Sequence, residues 1–129
     1  ELTSQDTDGW STLINCASSH IYLKQMNRKC ESALENGAEP VRVLSSVLGQ
    51  NYPSDELEYS WKKLMQNHPH DSICCCSVDE VQDEMATRFN KSKQVADYLV
   101  SEGTRYIADK INTKEYEKYK NTSRDIRRS

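Results

Sequence analysis

The chain contains little that breaks a helix: four glycines and three prolines in 129 residues. With that scarcity, its many Lys, Glu, Gln, Leu and Ala favour helix over sheet. No stretch approaches the roughly 20 apolar residues needed to span a bilayer, and no signal peptide is visible. A net charge of −3 supplies no general field for a phosphate backbone. The one basic stretch, "NTKEYEKYKNTSRDIRRS" at 112–129, is polar and non-periodic and reads as a linker or tail, with a nucleic-acid arm a distant second. An even cysteine count is missing too. Of the five cysteines, Cys74, Cys75 and Cys76 are consecutive, and sequence neighbours seldom meet disulfide geometry with each other. A secreted disulfide framework is therefore excluded, and a reducing cytoplasm is the expected compartment. The acceptor patterns at Asn90-Lys-Ser and Asn121-Thr-Ser then carry no meaning.

What is present suits one domain with a narrow core. Hydrophobic residues make up 36% and charged ones 29%, so apolar surface is expected to be shared with something outside this chain. Residues 1–15 are rich in Thr, Ser and Asp and read as irregular. Helical periodicity starts near Ser18 and places Ile21, Tyr22, Met26, Cys30, Ala33 and Leu34 on one face. Asn36-Gly37 and Pro40 interrupt it without dividing it. A second stripe, Val41, Leu44, Val47 and Leu48, continues to Gly49. Ser54 is the expected N-cap of a short helix, with Asp55 and Glu56 in its first turn. That helix carries Leu57, Trp61, Leu64 and Met65 and stops near Asn67, because Pro69 disfavours helical geometry at His68. Ser77-Val-Asp-Glu80 has the capping-box pattern. The helix it opens carries Val81, Met85, Phe89, Ser92, Ala96, Leu99 and Tyr106. The expected fold is all-α, an antiparallel three-helix bundle.

The unusual stretch is "NHPHDSICCCSVDE" at 67–80. His68 and His70 near a helix end have a plain reading as surface residues or dipole partners. Asp71 has one as a capping acid. Three cysteines in a row cannot easily all face one ion, and structural metal sites usually space them by two to four residues. Inert buried thiols account for at least two of them. No Ser-His-Asp arrangement, phosphate-cradling Gly loop or two-Cys-two-Cys pattern occurs. Local chemistry alone describes a helical bundle with one corner in need of explanation.

"SWKKLMQNHPHDSICCCSVDEVQDEM" resembles a segment of glycoside hydrolase family 38, the α-mannosidases, whose bacterial members carry a stretch much like "WK-LLQN-PHDSICGCS-DEV". "SSHIYLKQMNRKCESALENGAEP" and "TRFNKSKQVADYLV" resemble the helices before and after it, so the likeness spans roughly residues 10–108. The resemblance implies a helical middle domain at 16–110. It would be preceded by a linker from a catalytic domain (1–15) and followed by a linker or tail (111–129). It also implies that His70 is a zinc ligand and Asp71 a contact to sugar hydroxyls in a zinc-dependent, retaining α-mannosidase. The other zinc ligands, the nucleophile and the acid/base carboxyl would lie in a missing N-terminal domain, with β-rich domains after this one. No catalytic residue would then be in this chain. Alone it would hold zinc weakly and hydrolyse nothing, while the parent enzyme would cleave α-mannosides.

Three positions depart from the family pattern. Cys75 stands where the family has Gly, a residue suited to positive φ or close backbone approach. His20 stands where Arg is frequent, and Val81-Gln82 where Val-His is frequent, the latter read as surface variation. The alternative function is a stand-alone helical interaction module whose Cys-rich loop senses metal or redox state. It predicts a self-contained core and a low-pKa thiol, whereas the middle-domain reading predicts an exposed apolar face.

Overall fold

A computed structural model describes residue 16 and residues 18–112. The linker expected at 1–15 and most of the tail expected at 111–129 lie outside the described residues. Those described are helical throughout, with no strand among them. The first helix, α1 (Ile21–Ala33), passes through a π-helical segment (Leu34–Ala38) into α2 (Glu39–Val47). Then come α3 (Ser54–Met65), the single turn α4 (His70–Ile73) and the long α5 (Asp79–Lys110). The all-α expectation holds.

Helix α5 is the common wall, and pairings along it give the direction of its partners. Cys30 Sγ donates to Phe89 O at 3.2 Å, Gly37 faces Val100, Gly103 faces Val41, and Tyr106 Oη donates to Leu48 O at 3.2 Å. Numbers rise together, so α1 and α2 run parallel to α5. Asn67 Nδ2 donates to Met85 O at 3.0 Å and Ser60 Oγ to Ser92 O at 2.9 Å. Here numbers rise in opposite senses, so α3 runs against α5. The core between them is Leu23, Cys30, Leu34, Ala38, Leu57, Leu64, Met85, Phe89, Ala96 and Leu99. Phe89 is its largest fully buried side chain, and truncating such a ring to Ala costs about 3–5 kcal/mol.

Asn36-Gly37 and Pro40 indeed interrupt one continuous helix, and they do so by widening a turn. A π turn uses one extra residue, which moves the inward face on by about one position. Arg42 and Ser45 are therefore buried, not the expected stripe of Leu44, Val47 and Leu48. Those three are exposed together with Val43, and Val47 is 78% accessible. Arg42 makes its burial tolerable by donating from Nη1 to Gln50 Oε1 at 2.8 Å and from Nη2 to Asn51 O at 3.0 Å.

Further expectations shift locally. Helix α1 begins at Ile21, since His20 is left-handed (φ 42°); Ile21 and Tyr22 are exposed and Leu23 takes the core position. Pro53, not Ser54, caps α3, and Met65 is exposed. The capping box does not form. Val78 is the N-cap of α5, and Ser77 Oγ is buried without a partner among the described residues. Gln82 instead donates from Nε2 to Ser77 O at 3.1 Å. Its side chain is buried, so it is no surface variation; it braces the entry to α5. At the other end Gly103, not Tyr106, completes the buried stripe. A Cβ on Gly103 would sit 2.6 Å from Val41 Cγ1, closer than packed atoms approach.

Candidate functional site

The corner at 67–76 is held by two polar anchors. Helix α3 ends at Met65, and Asn67 next to it is fully buried, its amide on the Met85 carbonyl of α5. His68 Nε2 lies 2.8 Å from Asn27 Oδ1 on α1, and Asn27 in turn donates to Glu31 Oε1 at 2.8 Å. The chain is thus fixed to two helices immediately before Pro69. Pro69 is extended (φ −47°, ψ 137°), as a ring-locked residue at a helix start permits. Then α4 turns once. It carries His70 and Asp71 outward, their side chains 83% and 72% accessible, with His70 Nε2 3.3 Å from Asp71 Oδ1.

What ends α4 shows the conformation that position 75 adopts. Cys76 N–H donates to Asp71 O at 3.0 Å and Cys75 N–H to Ser72 O at 2.9 Å. Those two bonds with a left-handed residue between helix and chain are a Schellman motif, and the left-handed residue is Cys75, φ 62°. Positive φ, which the departure from Gly raised as one possibility, is what this position uses. A side chain there costs about 1–2 kcal/mol. Cys75 Sγ accepts from Lys24 Nζ at 3.3 Å, which ties the strained residue to α1.

The cysteines are not the inert buried thiols expected of at least two of them. Cys74 and Cys75 are half-buried and Cys76 is exposed. The buried thiol is Cys30, whose pKa burial pushes up. Cys16 lies 3.8 Å from Cys76, sulfur to sulfur. Its pKa is pushed up to about 11, first by desolvation, then by Cys76 and Cys74.

As a donor set for zinc, the corner is partial. No group of three or more His, Cys, Asp or Glu among the described residues could hold a metal ion, and a catalytic zinc takes at least three protein ligands. His70 offers an imidazole nitrogen from an exposed one-turn helix. That fits one ligand of a site completed elsewhere and does not fit a site made of the described residues alone. Sequence reasoning missed Asn27, Asn67 and Lys24, the residues that hold the corner. A buried Asn beside a His-Pro step carries a weak signal of its own, whereas Asn27 and Lys24 are ordinary helix-surface residues until the fold brings them over.

The description "Alpha mannosidase middle domain" matches residues 11–107. The chain belongs to this family. The middle domain is 51% identical over 113 residues to a protein of Halalkalibacterium halodurans named "Putative mannosylglycerate hydrolase", covering 88% of this chain and 12% of that protein. Its fold is similar to a crystal structure of an α-mannosidase from Enterococcus faecalis V583, with TM-score 0.80 and 51% identity, over 87% of this chain and 13% of that one. It is also similar to a glycosyl hydrolase family 38 protein from Enterococcus faecalis, with TM-score 0.76 and 48% identity, over 78% of this chain and 12% of that one. The chain thus spans about an eighth of the length of these relatives. No helix among the described residues is long and apolar enough to cross a membrane.

Proposed function

We propose that this middle domain supplies one wall of the active site of a zinc-dependent, retaining α-mannosidase, with His70 as one zinc ligand and Asp71 as an acceptor for sugar hydroxyls. The observation that carries the reading is the pair itself. A His and an Asp are held outward on a single helical turn, on a corner fixed by Asn67 and His68, with no group of three or more donors among the described residues to complete a site. Such rigidity without completeness suits a site shared between domains. The exposed Val43, Leu44 and Val47 of α2 and Leu48 at its C-cap support it too. Spaced on one helix face, they offer the apolar contact that neighbouring domains of one chain use.

In this reading the zinc, when bound, acts as a template that holds sugar hydroxyls. His70 contributes a neutral imidazole nitrogen toward it, and Asp71 Oδ2 remains open to accept a hydroxyl hydrogen bond. The anchoring of Asn67 and His68 holds the backbone that carries both residues, so little main-chain ordering is left for binding. The nucleophilic and acid/base carboxylates of a retaining glycosidase belong to the preceding domain, and the domain spans 16–110. A cytoplasmic setting accords with five free thiols.

The test is made in the full-length protein. His70→Ala is expected to lower zinc content, read by elemental analysis. Asp71→Asn is expected to keep zinc and lower kcat/KM on an aryl α-mannoside about 10- to 100-fold, the effect of losing a hydrogen bond to a charged group. Unchanged kcat/KM in both variants would sink the proposal.

A further inference from the structure

The thiols around α4 form an arrangement the site does not use. Cys16 and Cys76 stand 60 residues apart in sequence with their sulfurs 3.8 Å apart. The other three cysteines are placed differently. Cys30 is buried in the core and donates to the Phe89 carbonyl. Cys75 Sγ meets Lys24 Nζ and lies 3.7 Å from the Ile73 carbonyl. Cys74 is near enough to Cys16 to raise its pKa, but after Cys76 in strength, and it sits in a run whose members seldom pair with one another. Bringing Cys16 and Cys76 to the bonding distance of about 2.05 Å takes a sulfur movement of roughly 2 Å, within the reach of side-chain rotation on a half-buried and an exposed residue.

We infer that Cys16 and Cys76 are a dithiol pair that closes to an internal disulfide by exchange with a low-molecular-weight disulfide, pinning the segment ahead of α1 to the turn that carries His70 and Asp71. Cys76 meets the small disulfide first, since it is exposed where Cys16 is half-buried. Its thiolate attacks one sulfur of RSSR, forming the mixed disulfide Cys76–S–SR and releasing RS⁻. Cys16 loses its proton and attacks the Cys76 sulfur, and the second RS⁻ leaves. Two RSH are formed, and the protein has given up two electrons and two protons. The link acts directly on the candidate site, because the Cys76 N–H holds the Asp71 carbonyl.

The test is incubation of the chain with oxidised glutathione, acid quench, alkylation and peptide mapping, alongside thermal unfolding. The expected result is a linked peptide pair containing Cys16 and Cys76, with a midpoint at least about 5 °C higher when oxidised, as closing a long loop predicts. Cys16→Ser should leave a glutathione adduct on Cys76 and no such rise, whereas Cys74→Ser and Cys75→Ser should keep the link. Linkage of Cys16 to Cys74, or stable glutathione adducts on the unsubstituted chain, would overturn the inference. All three variants are checked for unchanged helical circular dichroism, and the mapping of the unsubstituted chain decides the matter without them.

Discussion

Helices α2 and α4 end in the same way and with different residues. At the end of α2, Gly49 is left-handed (φ 101°), with Gly49 N–H on Ser46 O at 2.9 Å and Gln50 N–H on Ser45 O at 3.0 Å. At the end of α4 the same pair of bonds surrounds Cys75. Both are Schellman motifs, and glycine is the residue that enters such a conformation without a steric cost. The α2 end is a structural joint, closed by Tyr106 on the Leu48 carbonyl. The α4 end carries the candidate site, and there the chain holds a cysteine in a glycine's conformation. The difference shows which contacts compensate: Asn67 and His68 before the turn, Lys24 on the cysteine itself. A one-turn helix would not survive in isolation, so these contacts define it.

Substitutions at glycines separate space from backbone conformation. The largest effect is expected at Gly103, where φ is not the issue and Val41 is. Gly103→Ala should cost about 2–3 kcal/mol by overpacking, read as a lower urea midpoint with an unchanged slope. Gly49→Ala should cost about 1–2 kcal/mol, since its Cβ would meet nothing closer than Tyr106 Oη at 3.5 Å and only the left-handed backbone resists. A loss at Gly49 as large as that at Gly103 would break the distinction.

Cys75→Gly should act in the opposite direction, raising stability by about 1 kcal/mol in the same urea titration. If it lowers stability instead, the Lys24 contact outweighs the strain. The smallest effect concerns Cys30, whose thiol burial holds above its ordinary value of 9.0. The folded state therefore keeps this proton where the unfolded chain has lost it. Stability is complete below pH 9 and falls as the pH rises toward the folded value. Cys30→Ala should flatten that fall in an alkaline stability profile, while lowering stability at neutral pH through the cavity it leaves.

Much of the bundle was legible because periodicity reports it directly. The buried Met85, Phe89, Ser92, Ala96 and Leu99 of α5 are the stripe read from spacing, and the stop of α3 before Pro69 follows from proline's effect on its neighbour. The inward face of α2 was not legible. A π turn leaves no periodic mark of its own, and Arg42 and Ser45 look like surface residues until Gln50 and Asn51 accept from Arg42 and the Arg42 carbonyl accepts from Ser45 Oγ. The failed capping box at Ser77 has a similar cause, since Gln82 takes the bracing role from inside the helix. At the site, His70 and Asp71 were read through the resemblance. Their placement on a Schellman-capped turn depends on long-range anchors at residues 24 and 27, which spacing does not reveal.

The corner at 67–76 is rigid and holds only part of a donor set among the described residues, and zinc affinity tests that most directly. Titration calorimetry of the chain under reducing conditions, with His70→Ala alongside, should give a Kd weaker than about 0.1 mM, or about −5.5 kcal/mol. Whatever weak binding is seen should fall in the variant. Nanomolar binding unaffected by His70→Ala would contradict the account, because the thiols would then be a complete site in themselves.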